Sequence, residues 1–297
     1  MNLRDLEYLV AISRLGSMAR ASVYCSVSQS TLSIQIKKLE EELGAALFER
    51  RSRRVTPTRT GARVIERCER ILHEVRGIRE IAKSESDPLS GDLRLGAFPT
   101  LAPYWFPRII PLVKERFPKL RLQLVEEKTG QLLEGLAAGA IDCAVLAMPV
   151  EQRGFEHRRL FAEPFYLAVP RDHALARKRG GKVDTARLSG ENLLLLEEGH
   201  CMRGQALQFC ASRGISSEGS YMASSLETLR NMVAAGQGLT LIPKIAASPA
   251  AATGIRYLSF SDSQPRREIG LFWRTSTSRR ELFVGLAKAM ADRRIYS

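Results

Sequence analysis

The sequence contains no uninterrupted apolar run long enough to cross a lipid bilayer, which takes about 20 residues. Its first residues, MNLRDLEYLVAISRLG, also lack the basic, apolar and small-residue order of a secretion signal, because charged side chains occur within the first turns. These absences predict a cytoplasmic protein that does not span a membrane. We expect its thiols to be reduced under ordinary conditions.

Cysteine is scarce and irregularly spaced. The chain has five cysteines, with no CxxC pair and no Cys/His spacing typical of zinc. An odd count without such spacing predicts neither a structural disulfide framework nor a metal site, and we expect no cofactor. The five are Cys25, Cys68, Cys143, Cys201 and Cys210.

Positive charge is what distinguishes an otherwise ordinary composition. Hydrophobic residues make up 44% and charged residues 26% of the 297 residues, as in a globular protein of two or three units. The formal net charge of +13 indicates an anionic partner. Charge alone leaves nucleic acid and a membrane surface as alternatives.

Three short helices are predicted in the first third of the chain. The first ends at Gly16, the second is capped by Ser17, and the third, QSTLSIQIKKLEEEL, is capped by Ser28 and ends at Gly44. Leucine and isoleucine line one face of the third helix, and short polar residues line the other. That polar face is typical of a recognition helix in the major groove, although a plain amphipathic helix has the same pattern.

The stretch FERRSRRVTPTRTGARV favours DNA as the partner. It carries six arginines and no acidic residue after Glu49, as expected of a wing that contacts phosphates or the minor groove. We therefore predict DNA contact by the polar helix face together with this wing. The residues are Ser28, Gln29, Ser30, Thr31, Ser33, Gln35, Lys37, Arg50, Arg51, Arg53 and Arg54.

Three segments in this region, LEYLVAISRLGSMARAS, VSQSTLSIQIKKLEEELGAALFER and RVTPTRTG, resemble the winged helix-turn-helix of LysR-type transcriptional regulators in order and spacing. The resemblance implies promoter DNA and RNA polymerase as partners. It also implies a homo-oligomer built as a dimer of dimers, and a regulator rather than an enzyme.

A long helix is predicted after the wing, over residues 58–83. Its apolar residues alternate steps of four and three, as in a coiled-coil seam that pairs with a second copy of the chain. A helix that rests on its own domain is the alternative. In the family the matching helix forms the dimer, so we assign residues 1–58 to the DNA-binding domain and 59–88 to the linker and hinge.

Short strands alternate with helices over residues 89–297, which predicts an α/β domain with a mainly parallel sheet. Two subdomains around a cleft, one of residues 89–163 and 268–297 and one of residues 164–267, match the periplasmic-binding-protein-like effector domain of the family. Predicted helix starts facing the cleft carry hydroxyl side chains that are either ligand contacts or N-caps. They are Thr100, Thr129, Ser224 and Ser225.

The segment GHCMRGQALQFC places Cys201 and Cys210 nine positions apart. In a regular helix their Cα atoms would stand about 13.5 Å apart, whereas a disulfide tolerates about 7 Å. A bond between them would therefore require the segment to refold. His200, Arg203 and a nearby helix start predict a stabilised thiolate at Cys201; two unrelated buried cysteines are the alternative.

Together with SLETLRNMVAAGQGLTLIP, this segment is similar to the peroxide-sensing branch of the LysR family. The resemblance implies that hydrogen peroxide oxidises Cys201, that Cys210 resolves it as a disulfide, and that a thiol reductant such as glutaredoxin or thioredoxin reverses the bond. It further implies that peroxide is held or polarised by Thr100, Thr129, His200 and Arg267.

Gly204 departs from the acidic residue typical of that branch, which concerns the rate and stability of the switch more than its chemistry. Two other functions stay open from the sequence. One is a regulator that binds a metabolite in the cleft, with Ser224 and Ser225 as contacts and inert cysteines. The other is a thiol peroxidase or disulfide exchanger, which the missing CxxC pair disfavours.

Overall fold

The structure is a computed structural model that describes residues 1–51, 54–84, 89–177, 180–211, 215, 222–247 and 254–291. The chain divides into two compact units, one of Met1–Ser86 with Ala137–Ala140 and one of the remaining residues. No helix within the described ranges is long and apolar enough to span a membrane. The predicted contact residue Arg53 and residues 85–88 of the predicted hinge lie outside the described residues.

The first unit consists of three helices, a two-stranded hairpin and a long helix. The hydroxyls of Ser17 and Ser28 each accept a hydrogen bond from the backbone N–H three residues on, which confirms the predicted caps. Gly16 and Gly44 end their helices in the left-handed region, at φ of 60° and 64°. The elements are α1 (Leu3–Leu15), α2 (Met18–Tyr24), α3 (Gln29–Leu43), β1 (Phe48–Arg51), β2 (Arg54–Pro57) and α4 (Arg59–Ser84).

One apolar core joins these elements, with buried residues from α1, α3, β1 and α4. Ile65 and Cys68 dock the start of α4 on this core. Ile71 and Ile78, further along the predicted seam, are 43% and 67% exposed. The seam therefore belongs to the unit's own core at its start and is exposed at Ile71 and Ile78, where pairing with a second copy stays a prediction.

Gly61 marks the closest approach of α4 to β1. A Cβ at Gly61 would lie 1.9 Å from the carbonyl oxygen of Leu47, so Gly61→Ala must displace the helix. We expect the free energy of unfolding to fall by about 1–3 kcal/mol, as in overpacked cores. Gly77→Ala is the matched control, because a Cβ there meets nothing within 4 Å, and it should stabilise the helix by up to about 1 kcal/mol. Urea unfolding of both variants checks this, and equal effects would contradict it.

The second unit contains an eight-stranded sheet in the order β4-β3-β5-β12-β6-β11-β7, with β10 also paired to β6, and a small β8–β9 sheet. Its strands are β3 (Gly91–Ala97), β4 (Leu120–Glu126), β5 (Cys143–Met148), β6 (Phe155–Pro170), β7 (Lys182–Val183), β8 (Leu195–Leu196), β9 (Met222–Ala223), β10 (Thr240–Pro243), β11 (Ile255–Phe260) and β12 (Arg266–Arg274). Its helices are α5 (Ala102–Arg116), α6 (Thr129–Ala137), α7 (Cys201–Ala211), α8 (Leu226–Ala234) and α9 (Arg280–Met290).

The prediction of a mainly parallel sheet is wrong at its centre. β3 pairs in parallel with β4 and β5, as expected of strands joined by crossover helices. β12, however, pairs antiparallel with β5 and β6, and β6 pairs antiparallel with β10 and β11. Two strands, β6 and β12, run side by side in opposite directions through the middle of the sheet.

The buried apolar residues of this unit form two clusters, which we call the first and second lobes. The first lobe is built on β3, β5, β12, α5, α6 and α9, and the second on β8, β10, β11, α7 and α8. The 16-residue strand β6 runs through both, giving Leu160 to the first lobe and Phe165 to the second. The predicted subdomain boundary at residue 163 falls between these two side chains.

Candidate thiol site and nucleic-acid interface

Both cysteines of GHCMRGQALQFC lie in one helix, α7, which begins at Cys201. Their Cα atoms are therefore about 13.5 Å apart, and both thiols are free. Cys210 is buried within the second lobe, whereas Cys201 is partly buried and packs against the first. The two sulfurs thus belong to different lobes, and a bond between them requires α7 to unwind.

Arg267 is a buried cation between the two lobes. It lies directly opposite Glu163 in the antiparallel pairing of β12 with β6. Its Nε donates to Glu163 Oε2 at 2.7 Å and one terminal nitrogen donates to Thr100 Oγ1 at 2.8 Å. The side chains of Arg267 and Glu163 are 0% and 4% exposed. Because each charge is paired and hydrogen-bonded, the guanidinium is fixed in position despite its burial.

The Cys201 thiol experiences two opposing influences. Burial raises the pKa of Cys201, and this effect outweighs the charge of Arg267 and the hydroxyl of Thr129, which both lower it. Thr129 Oγ1 is itself buried and has no well-aligned hydrogen-bond partner among the described residues. The resting thiol is therefore protonated, but it is next to the groups that stabilise its anion.

The prediction that His200 and Arg203 stabilise a thiolate is wrong. Burial and then the charge of Lys128 lower the pKa of His200, so its imidazole is neutral near pH 7 and supplies no positive charge. Arg203 instead donates a hydrogen bond to the carbonyl of Leu196 at 3.1 Å. The cation that acts on Cys201 is Arg267, which the chain brings in from β12.

The predicted helix starts have different roles in the structure. Ser225 caps α8, where its hydroxyl accepts the backbone N–H of Thr228. Ser224 hydrogen-bonds through its backbone to His200. Thr100 precedes α5 by two residues and caps nothing, because its hydroxyl is taken by Arg267. Thr129 is the first residue of α6.

Two polar atoms of residues beside Cys201 have no well-aligned hydrogen-bond partner within the described part of the chain. They are Thr129 Oγ1 and His200 Nε2, both buried. Buried polar atoms without partners are costly and point to a bound polar molecule. The Thr129 hydroxyl, which acts on the Cys201 thiol, can therefore offer a hydrogen bond to a small polar molecule beside the sulfur. No group of three His, Cys, Asp or Glu side chains suited to a metal occurs among the residues described.

The polar face of α3 is accessible in the N-terminal unit. Ser28 caps the helix, and its hydroxyl also bonds to those of Ser30 and Thr31. Ser33 and Gln35 are half-buried. Ile34, which the sequence interpretation left out, is 55% exposed on the same helix. Among the predicted DNA-contact residues of this helix, the exposed ones are Ser28, Gln29, Ser30, Thr31 and Lys37.

The wing is the antiparallel pair of β1 and β2. Arg50, Arg51 and Arg54 lie in these strands, and only their backbone is described. The hairpin supports the assignment of this segment as a wing next to the recognition helix.

Sequence reasoning missed two charged residues near the thiol site, Glu163, which pairs with Arg267, and Lys128, which contacts the segment before Cys201. Glu163 left a signal, because it is a carboxylate within the otherwise apolar strand segment FAEPFYLAVP. Lys128 left none, since a lysine before a helix start is ordinary. Only the fold, which brings Glu197 next to Lys128, shows that the two residues form an ion pair.

Comparison with known proteins agrees with this architecture. The family model described as bacterial regulatory helix-turn-helix protein, lysR family, matches residues 3–62, and that of the LysR substrate binding domain matches residues 86–293. The DNA-binding transcriptional dual regulator OxyR of Escherichia coli (strain K12) is 45% identical over 294 residues, 99% of this chain and 96% of that protein.

Solved structures are similar as well. A full-length OxyR variant from Pseudomonas aeruginosa has a TM-score of 0.76 at 34% identity, covering 98% of this chain and 94% of that one. The oxidized form of OxyR has a TM-score of 0.63 at 43% identity, covering 69% of this chain and 96% of that one.

The winged helix-turn-helix unit and the two-lobed α/β unit together define a DNA-binding regulator with a binding-protein-like effector domain. The chain belongs to the LysR family of transcriptional regulators, in its OxyR branch. The resemblance found in the sequence motifs is thereby confirmed.

Arg267→Met tests the electrostatic role of this cation. We expect the pKa of Cys201 to rise and its alkylation by iodoacetamide near neutral pH to slow about tenfold or more. Because the variant also leaves Glu163 buried without its partner, it should lose about 3–5 kcal/mol of stability. Arg267→Met/Glu163→Met is the control: it should recover most of the stability but not the reactivity. A double variant that reacts like wild type would refute the electrostatic role.

Proposed function

We propose that this chain regulates oxidative-stress genes in response to hydrogen peroxide, through a reversible disulfide between Cys201 and Cys210. The observation that carries the proposal is the setting of Cys201. A fixed cation, Arg267, and the hydroxyl of Thr129 act on this sulfur, and a second thiol lies in the same helix. The preceding residue, His200, adds a buried nitrogen without a hydrogen-bond partner among the described residues. The names of the relatives, among them "Hydrogen peroxide-inducible genes activator", support it.

The first step is oxidation of Cys201 by peroxide. The sulfur attacks one peroxide oxygen, the O–O bond breaks, and the departing hydroxide takes the thiol proton to leave as water. Cys201 becomes a sulfenic acid, having given two electrons to the peroxide. Thr129 Oγ1 and His200 Nε2 hydrogen-bond the peroxide, and Arg267 stabilises the negative charge that develops on sulfur and on the leaving oxygen. Thr100 acts through Arg267, whose guanidinium it holds.

The second step joins the two cysteines. The Cys210 sulfur attacks the sulfenic sulfur, the S–O bond breaks, and water leaves with the Cys210 proton. Since the Cα atoms must come within about 7 Å, α7 unwinds at its Cys201 end and the sulfur leaves the first lobe. A dithiol reductant such as glutaredoxin or thioredoxin returns two electrons and restores the helix.

The rearrangement of α7 links the bond to transcription. The loop that precedes Cys201 and the lobe contacts of α7 change together, which gives the chain two discrete arrangements. In a dimer of dimers we expect this change to re-space the DNA-binding units on promoter DNA, where RNA polymerase responds. We infer that the protein acts as a regulator rather than an enzyme, because the thiol site belongs to a chain with the DNA-binding unit of the LysR family.

Stoichiometric peroxide added to anaerobically reduced protein should produce a Cys201–Cys210 cross-linked peptide, detected by mass spectrometry after non-reducing digestion. Cys210→Ser should stop at the sulfenic acid because no resolving thiol remains. Cys143→Ser is the control and should behave like wild type, since Cys143 is buried and its pKa is raised well above the usual value. Free thiols at both positions in the folded protein, or sustained peroxide turnover, would refute the proposal.

Binding to DNA is tested at Lys37. Lys37→Ala removes an exposed ammonium from the recognition face, so affinity for a mixed-sequence duplex should fall. The slope of log affinity against log salt should become shallower by about 0.9, the value for one phosphate contact. Lys288→Ala, an exposed lysine on α9, should change neither quantity. Fluorescence anisotropy over a salt series measures both, and an unchanged slope for Lys37→Ala would contradict the assignment.

A further inference from the structure

Lys128 connects the two lobes beside the thiol site. It ends the loop after β4, and its carbonyl oxygen accepts a hydrogen bond from the backbone N–H of Leu132 in the first turn of α6. Both β4 and α6 belong to the first lobe. Its Nζ lies 2.6 Å from Glu197 Oε1 and donates to the carbonyl of Glu198 at 3.1 Å. Glu197 follows β8, whose leucines are buried in the second lobe. The lysine therefore crosses from one lobe to the other.

The segment that Lys128 holds leads directly into Cys201. It runs Glu197, Glu198, Gly199, His200 and then Cys201, the first residue of α7. Gly199 has a φ of 88°, and a Cβ there would lie 2.9 Å from Lys128 Cδ. The lysine stem thus packs over a turn that needs glycine for its conformation, while its ammonium fixes the carboxylate before that turn.

The neighbour of Lys128 in sequence, Thr129, lies next to the sulfur and lowers the pKa of its thiol. Thr129 interacts with the Cys201 thiol, so adjacent residues secure the loop and the cysteine from the same side. When Cys201 moves toward Cys210, residues 197–200 must follow it away from the first lobe. The contacts of Lys128 cannot persist unchanged through that movement.

We propose that Lys128 is a positioning residue that stabilises the reduced arrangement by tethering the Glu197–Cys201 segment across the lobes, and so restrains disulfide formation. This inference rests on the proposed switch and adds a determinant of its second step. The tether touches neither the sulfur nor the peroxide. At pH 8 the imidazole of His200 is neutral with or without the Lys128 charge, because that charge only lowers a pKa whose ordinary value is about 6.5. The tether therefore acts on the movement of Cys201 and leaves the attack of its thiol on peroxide unaffected.

Separate rates for the two steps test the tether. Full-length protein at pH 8 is mixed with stoichiometric peroxide, quenched over time, and analysed by mass spectrometry for dimedone-trapped sulfenic acid and for the Cys201–Cys210 disulfide. In Lys128→Gln the disulfide step should be about threefold faster, as expected for loss of a partly exposed ion pair. The rate of sulfenic acid formation should be unchanged, and Lys128→Arg should restore the wild-type disulfide rate.

Arg121→Gln is the matched control. It removes the same charge and an exposed ion pair, Arg121 with Asp92, that lies within the first lobe. It should leave both rates at their wild-type values. Added salt should accelerate the disulfide step of wild type and have little effect on Lys128→Gln, because the partly exposed tether is screened.

The outcomes separate the tether from the switch. If wild type forms no sulfenic acid and no disulfide, the proposed function fails and the tether with it. If wild type forms the disulfide and Lys128→Gln does so at the same rate, or if Arg121→Gln accelerates it equally, the tether alone is refuted. A change in the sulfenic step of Lys128→Gln would place the lysine in the peroxide chemistry and also overturn the inference.

Discussion

The buried pair of Arg267 and Glu163 is the interaction on which the second unit depends. Two strands that run through the middle of the sheet place these residues opposite each other. Glu163 is satisfied on its second oxygen by the backbone N–H of Ile245, at 3.0 Å. Arg267 in turn holds Thr100 and lies 4.9 Å from the centre of the Phe98 ring. A single ion pair thus ties together β12, β6, the loop after β3 and the turn after β10.

That arrangement explains how a positive charge can act on a thiol without being exposed to solvent. An unpaired arginine in this position would be expelled or would draw in water. Because it is paired with Glu163, Arg267 stays buried at a fixed position. The negative charge of Glu163 offsets part of the effect of Arg267 on the pKa of Cys201. Burial then keeps the resting pKa of the thiol high. The resting sulfur is therefore a protonated thiol and not a permanent thiolate, which would react with many oxidants. Arg267 stabilises the thiolate when the proton leaves.

The sequence was informative where structure is local and silent where it is not. The helices of the N-terminal unit followed from apolar periodicity, Ser17 and Ser28 caps and glycine ends, all set within a few residues. The contact of Arg267 with Thr100 spans 167 positions, and no spacing rule reaches that far. Only the family resemblance predicted that Thr100 and Arg267 belong to one site, and it did not predict the contribution of Glu163. The prediction that His200 stabilises a thiolate was wrong because burial lowers its pKa, and burial cannot be read from the sequence.

The placement of Cys201 against one lobe and Cys210 inside the other has a thermodynamic meaning. In the proposed switch, forming the disulfide also breaks the contacts that hold the start of α7 to the first lobe, which makes the oxidised form less stable. The reduction potential of the pair would therefore rise as these contacts strengthen, by about 30 mV for each tenfold change in the equilibrium. Side chains far from either sulfur can adjust the peroxide threshold simply by how firmly they hold the two halves together.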